Sequence, residues 1–318
     1  MRVLFLLTAV LFVFNAKASP GDTTWVNVHD KTQMTWHKRY KAKAQLPDGS
    51  KSYHKIIMYY RMGCANGGCS DWDYTTRVSV LHPTGALDSN VASIDTISTN
   101  PLVIDTTWNV FEVTEDYELA RVITPYANGF RNDWEHDFVY DVTDYYSMLK
   151  DSVEIEVFYQ GWSSGFSATI DFAFIEGPRP REVLSIDNVY MGGGSYLNST
   201  DFENTHLPQR TIAIDSATQA LDLKVNFSGH GFVNSLNCAE FCNKDYYVKV
   251  GGQQVASRSI WRNDCGLNAI WPQPGTWIYD RANWCPGDKS LFRHHDLSPY
   301  ISGSTLDLDV DIEAYSYT

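Results

Sequence analysis

Apolar residues and carboxylates take strict turns near the end of this chain: Leu306-Asp307-Leu308-Asp309-Val310-Asp311-Ile312 puts hydrophobes on one side and acids on the other. Only an extended strand, whose side chains alternate across the pleat, turns that order into one dry and one wet face. The same period of two marks Val153-Glu154-Ile155-Glu156-Val157, Thr169-Ile170-Asp171-Phe172-Ala173-Phe174 and Leu221-Asp222-Leu223-Lys224-Val225. Tyr247-Val248-Lys249-Val250, Gly251-Gly252 and Gln253-Gln254-Val255 read as a hairpin closed by a tight turn. One modest helix is predicted from Thr143 to Leu149, with Thr143 as its N-cap. Many short antiparallel strands joined by loops predict an all-β protein built of sandwiches. About 300 mature residues exceed one ordinary core. The stiff, polar Gly177-Pro178-Arg179-Pro180 is the best linker, giving domains over 19–178 and 181–318.

The first residues say where the chain works. Arg2 is a short basic start, Val3 to Phe14 is an apolar run too short to span a bilayer, and Ala16-Lys17-Ala18 is a small-residue cleavage site. That is a secretory signal peptide over 1–18, and a secreted or periplasmic protein follows from it. No second long apolar run follows, so no membrane association is expected. Export means an oxidising compartment, so the six cysteines read as three disulfides and not as a metal site. They fall into local pairs: Cys64 with Cys69, Cys238 with Cys242, Cys265 with Cys285. Their spacing is not that of a zinc finger, and no HExxH element is present. Cleavage removes Arg2 and Lys17 and no acid, so the formal charge goes from −13 to −15. A chain this acidic, without a basic run, is a poor binder of nucleic acid or anionic membrane.

Two of the cysteine pairs sit beside carboxylates. Cys64 and Cys69 precede Ser70-Asp71-Trp72-Asp73-Tyr74, and Cys238 and Cys242 enclose Ala239-Glu240-Phe241. In the chain-entropy account a ring as small as 238–242 contributes least, roughly 2 kcal/mol, against about 3 or more for the loop from Cys265 to Cys285. Little stability with much rigidity suits a place where geometry matters. The bland alternative is that Asp73 and Glu240 only cap turns. Aromatic residues make up 14% of the chain; each packs a core or offers a platform to a sugar ring.

Five separated elements carry a family resemblance. They are C-x4-C-S-D-W-D-Y at 64–74, Y-E-L-A-R-V-I-T-P-Y at 117–126, D-V-T-D at 141–144, N-C-A-E-F-C at 237–242 and Y-D-R-A-N-W-C-P-G at 279–287. In that order, over about residues 25 to 312, the chain resembles the peptide-N-glycosidase F family, and all six cysteines fall where that family forms its three disulfides. The resemblance implies two antiparallel jelly-roll sandwiches side by side with an active cleft between them. It implies hydrolysis of the amide that joins an N-glycan's first N-acetylglucosamine to asparagine, with N-glycosylated proteins or glycopeptides as substrates and no cofactor. Such a reaction needs a carboxylate-activated water, a donor for the oxyanion and a proton for the leaving amine. Asp73 matches the family's principal catalytic acid and Glu240 a second required carboxylate. Arg281 matches a cleft arginine, which holds Glu240 in its charged form or stabilises transition-state charge. Trp72, Trp162 and Trp284 match aromatic positions lining the sugar site, with core packing as the alternative for each.

The chain departs from the family pattern in three places. Gln160, two residues before Trp162, stands where the family has a third cleft glutamate; it can hydrogen-bond a sugar hydroxyl but cannot act as a base. Glu156 is no replacement, lying four residues and about 13 Å away along a strand. His230, in Gly229-His230-Gly231-Phe232, occupies a stretch where the family has a tryptophan; it is a substrate-side proton-transfer group near Glu240 or a loop-packing residue. The family continues past the strand at 306–313 with at least one more, so either the sequence given is a fragment, which is the expectation, or its second sandwich closes differently.

Other chemistries fit poorly. There is no G-x-S-x-G elbow, no phosphate-binding or dinucleotide fingerprint, and no unpaired thiol is expected. Copper monooxygenases also pair jelly rolls, but the nine histidines here lack a clustered ligand pattern, so no metal is expected. Tryptophan-lined sandwiches also occur in carbohydrate-binding modules. An enzyme releasing N-glycans is therefore weighed against a glycan-binding or adhesion protein that lost full catalysis.

Overall fold

The computed structural model describes residues 21–190, 192–193, 198–231 and 238–315, without the side chain of Cys238; the expected leader lies outside them. The first half holds eight strands: β1 (Thr23–Met34), β2 (Lys38–Gln45), β3 (Tyr53–Cys64), β4 (Thr75–Thr99), β5 (Leu102–Ile123), β6 (Glu135–Asp141), β7 (Ser152–Tyr159) and β8 (Phe166–Glu176). The second half begins with α1 (Ser199–His206), β9 (Arg210–Ala213), β10 (Asp222–Val225) and α2 (Cys238–Phe241). It continues with β11 (Asp245–Val250), β12 (Gln253–Ser259), β13 (Trp261–Arg262), β14 (Arg281–Ala282), β15 (Asp288–Lys289), β16 (Arg293–Asp296) and β17 (Thr305–Ile312). The strand pairs are antiparallel, and the fold is all-β as the alternation predicts.

Two sheets, ordered β1-β8-β3-β6 and β15-β5-β4-β7-β2, face each other in the first half. Ile56, Met58 and Tyr60 of β3 and Phe172 and Phe174 of β8 meet Val78 and Val80 of β4 and Ile155 and Val157 of β7 in one core. A second core is built around Tyr246 and Val248 of β11 and Leu306, Leu308 and Val310 of β17, in the sheet β12-β11-β17-β9. The aspartates of β17 stay on its wetter face, where Asp311 pairs with Lys249. Gly251 and Gly252 close the β11–β12 hairpin, both at positive φ (56° and 78°), as a tight turn between twisted strands requires.

The halves interlock more than a linker alone would suggest. Gly177-Pro178-Arg179-Pro180 follows directly on β8. Yet β15, far beyond it, pairs with β5 through Asp288–Ile123 and Lys289–Val122 and so extends the first half's sheet. Ile270 lies in the first core too. The predicted helix at 143–149 shrinks to one tight turn, Thr143–Tyr145, whose N-cap is Val142. Thr143 is buried, and its hydroxyl is engaged by Asp141 and by the amide of Ile56, so it ties the turn to β3 instead of capping a helix.

Candidate functional site

Asp73 lies in the segment between β3 and β4, and the backbone on both sides of it is clamped. The buried Thr124 hydroxyl donates to the Trp72 carbonyl at 2.8 Å and accepts from the Tyr74 amide at 2.7 Å. The Ala127 amide donates to the Ser70 carbonyl at 3.2 Å, and the Cys64–Cys69 disulfide closes the loop upstream. Gly165 lets the β7–β8 connection approach closely: a Cβ there would stand 2.2 Å from the Ser70 amide nitrogen. A side chain with a free backbone would sample many positions; Asp73 has little such freedom.

Glu240 and Arg281 come from the second half. Arg281 is fully buried, and each of its N–H donors has an acceptor: Nε to Glu240 Oε1 at 2.9 Å, Nη1 to the carbonyls of Thr276 and Tyr279, Nη2 to Thr276 Oγ1 and to the Tyr126 hydroxyl at 3.4 Å. Its guanidinium also lies over the rings of Phe241 and Trp284. A guanidinium with all five donors engaged is a girder. With these partners the guanidinium is turned toward Glu240 and the carbonyls of its own loop. The turn that aims it depends on Asn283, whose φ of 59° an asparagine tolerates and whose amide donates to the carbonyls of Phe227 and Leu291.

Tyr126 joins the two acids. Its hydroxyl meets Arg281, its amide donates to buried Gln273, and Asp73 and Glu240 both lie close enough to act on its charge. Burial, reinforced by Asp73 and partly opposed by Arg281, pushes its hydroxyl up to about 12. It therefore keeps its proton at neutral pH and can donate a hydrogen bond. His230 is the second link. Nε2 lies 3.1 Å from the Asp73 carbonyl and 3.5 Å from its carboxylate, and Nδ1 lies 2.9 Å from Thr75 Oγ1. A carbonyl only accepts, so Nε2 carries a hydrogen toward Asp73. Gly229 makes this placement possible: a Cβ there would fall 1.8 Å from the Ala239 carbonyl oxygen in α2.

Asp73, Glu240 and Arg281 are thus brought together with residues sequence reasoning did not single out. Trp72 and Trp162 are exposed, 61% and 63%, as faces for a flat apolar ring must be. Trp36 and His37, from the β1–β2 turn, extend that surface: His37 stacks on Trp162 at 5.2 Å, and Trp36 meets its edge at 5.8 Å. Gln160 is exposed, and its backbone N–H donates to the Thr75 carbonyl. One expectation is corrected. Trp284 is wholly buried, edge-on to His230 at 4.5 Å and beneath Arg281, so it supports the site from below and offers no sugar platform. His230 is wedged between Trp284 and Asp73, as the loop-packing alternative has it. Glu156 is buried and paired with Arg39, and burial raises its carboxyl despite that arginine.

The cysteines pair locally. Cys64–Cys69 and Cys265–Cys285 are bonded, and Cys242 is bonded too, the side chain of its expected partner Cys238 lying outside the described residues. Among the described residues no group of three or more His, Cys, Asp or Glu side chains is placed to hold a metal ion. No helix among them is long and apolar enough to cross a membrane. Two open surface concavities lie away from this site, one along Thr211–Asp215 and one around Lys51, Tyr146 and Arg179, and neither contains a site residue. The chemistry marks the site better than the depth of the surface does.

Comparison with known proteins agrees with the fold. Residues 198–314 match a family described as peptide-N-glycosidase F, C terminal. The chain is 24% identical, over 95% of its length and 81% of the relative's, to the peptide-N(4)-(N-acetyl-beta-D-glucosaminyl)asparagine amidase F of Elizabethkingia miricola. It superposes on the structure of a recombinant peptide:N-glycanase F with a TM-score of 0.69 at 20% identity, covering 93% of this chain and 90% of that one. A structure named PNGF-II matches with a TM-score of 0.53 at 16% identity, covering 93% of this chain and 62% of the other.

Proposed function

From the premise that this chain is a relative of the peptide-N-glycosidase F family, we propose that it is an exported amidase that releases N-glycans by hydrolysing the asparagine–N-acetylglucosamine amide. One observation carries the reading: Tyr126, hydrogen-bonded to Arg281, lies within electrostatic reach of Asp73 from one half and of Glu240 from the other.

The reaction breaks one C–N bond and forms one C–O bond. Asp73 takes a proton from water as the oxygen attacks the side-chain carbonyl carbon of the glycosylated asparagine. Tyr126 donates to the oxygen on which negative charge develops, a role its raised pKa permits across the neutral range. The proton held by Asp73 passes to the leaving nitrogen, which departs as the glycosylamine and leaves aspartate behind. Glu240, fixed by Arg281, accepts a hydrogen bond from the first sugar or its amide nitrogen. Trp72 and Trp162, with Trp36 and His37, carry the apolar sugar faces. Gln160 binds a hydroxyl there without proton transfer. The paired cysteines fit export, and the domains at 19–178 and 181–318 would each contribute one acid.

A second reading rests on Gln160. With a neutral amide in place of a third acid, the same surface serves a glycan-binding protein. Mass spectrometry of a defined N-glycopeptide incubated with the purified mature chain separates the two. Loss of the whole glycan with asparagine converted to aspartate, abolished by Asp73→Asn, supports the amidase. An unchanged glycopeptide that binds equally well to wild type and Asp73→Asn supports the binding protein.

A further inference from the structure

β4 and β5 do not end where the sandwich does. β7 pairs with β4 only over Thr76–Leu81, while β4 and β5 remain paired out to Thr99 and Leu102. From Pro83 to Val113 they form a two-stranded arm that extends about 45 Å at 3.3 Å per residue. It starts about 25 Å along β4 from Thr75, so its tip is remote from Asp73.

The arm has one apolar face. Directly opposed residues of an antiparallel pair share a face. Leu102, Ile104, Trp108 and Val110 of β5 all lie on one side, opposite Thr99, Thr96, Val91 and Ser89. Leu87 and Ile94 join them, facing Glu112 and Thr106. Irregularities between Val91 and Ser93 and between Thr96 and Ser98 each add one residue to β4; the first resets its phase so that Ile94 stays on that side, and the second returns Thr99 to it and leaves the exposed Ile97 outside the register. The other face carries Asp88, Asp95 and Asp105 among Ser, Thr and Asn, with Val103 and Phe111 as its large hydrophobes. Leu87, Val91, Ile94, Leu102, Ile104, Trp108 and Val110 are all exposed, from 46% for Val91 to 71% for Leu87 and Leu102.

We propose that this face packs against the same face of a second copy of the chain. A two-stranded ribbon with an apolar face in water is marginal by itself, and a second layer about 10 Å away completes it as a sandwich. The seven side chains leave roughly 700–800 Å² in water, far above the patch a monomer ordinarily shows and about what one partner contributes to a stable interface. Residues 83–113 contain Asp88, Asp95, Asp105 and Glu112 and no Lys or Arg. Face-to-face packing turns the three aspartates outward on both copies, away from each other, and leaves Glu112, opposite Leu87 at the base of the arm, at the edge of the packed face. The same charge disfavours an anionic lipid surface.

The test is the mass of the mature chain by size-exclusion chromatography with light scattering. A concentration-dependent dimer is expected, converted to monomer by Ile94→Ser with Trp108→Ser. Asp95→Lys with Asp105→Lys, on the opposite face, should leave the dimer intact. A single cysteine in place of Thr106 should cross-link two copies under oxidation without loss of folding. A monomer at all concentrations, or a dimer that survives Ile94→Ser with Trp108→Ser, overturns the proposal. So does a monomer that floats with zwitterionic vesicles, which would assign the face to a lipid surface.

Discussion

Asp73 and Glu240 sit at one site but are held in opposite ways. Asp73 is fixed through its backbone: Thr124 grips the residues on either side, and the carboxylate lies 3.5 Å from His230 Nε2. Glu240 is fixed through its side chain, which a fully buried arginine holds at 2.9 Å. The first arrangement fixes the residue without an ion pair from its carboxylate to a lysine or arginine among the described residues. The second makes a structural element of an ion pair. In the proposed reaction, chemistry and positioning are thereby divided between the two halves of the protein.

The sharpest way to break this comparison is to remove one member of each arrangement. Asp73→Asn should lower kcat by roughly 10²–10⁴ with an unchanged melting temperature, because nothing structural depends on its charge. Arg281→Met should destabilise the protein by about 3–5 kcal/mol by leaving Glu240 beside an unpaired hole, and activity should fall with it. Equal destabilisation by both changes, in urea titrations run beside kinetics, would erase the distinction. The two tryptophans repeat the contrast. Trp284→Ala should cost about 3–5 kcal/mol as a cavity opens beneath Arg281 and His230. Trp162→Ala should leave stability within about 0.5 kcal/mol and raise KM by roughly two- to tenfold.

Smaller effects sharpen the picture. Thr124→Val removes one donated and one accepted hydrogen bond at constant shape, and should cost about 1–3 kcal/mol. Its activity loss should appear in kcat more than KM, since the clamp positions Asp73 without touching sugar. Lys224, from β10, reaches across to the Tyr145 hydroxyl at 3.1 Å, and burial pulls its ammonium down from 10.5 to about 8. Below about pH 8 it is charged in both folded and unfolded chains, and the folded state bears the full desolvation penalty. Between about 8 and 10.5 the folded chain has released a proton that the unfolded chain still holds, so stability rises with pH. Lys224→Met should therefore stabilise by on the order of 1 kcal/mol at neutral pH, an advantage that fades as the pH approaches 10.5. Urea midpoints of both chains across that range check it.

What could be read from the sequence follows from range. Alternation in Leu306 to Ile312 and the Gly251-Gly252 turn are local, and both appear in β17 and the β11–β12 hairpin. Asp73 and Glu240 stood out because each lies beside a cysteine pair. Tyr126, Thr124, Trp36 and His37 did not, since their partners lie far along the chain and no spacing marks them. Trp284 shows the opposite limit: a tryptophan next to a cysteine and an arginine reads alike whether it faces sugar or lies under the site, and only packing decides. The arm escaped notice for a related reason. Leu102, Ile104, Trp108 and Val110 alternate as a core strand does, and alternation alone cannot say whether a second layer covers it. Thr143 looked like a helix cap because its hydroxyl can serve one; Asp141 and Ile56 took it first.

The most direct measurement is single-turnover cleavage of a defined N-glycopeptide, read by mass spectrometry, for wild type, Asp73→Asn and Glu240→Gln with each fold verified by melting. The account predicts glycan release with conversion of asparagine to aspartate by wild type, and at least a hundredfold loss in both variants. Release undiminished by Asp73→Asn, or no release by a folded, disulfide-intact wild-type chain that still binds the glycopeptide, would contradict it.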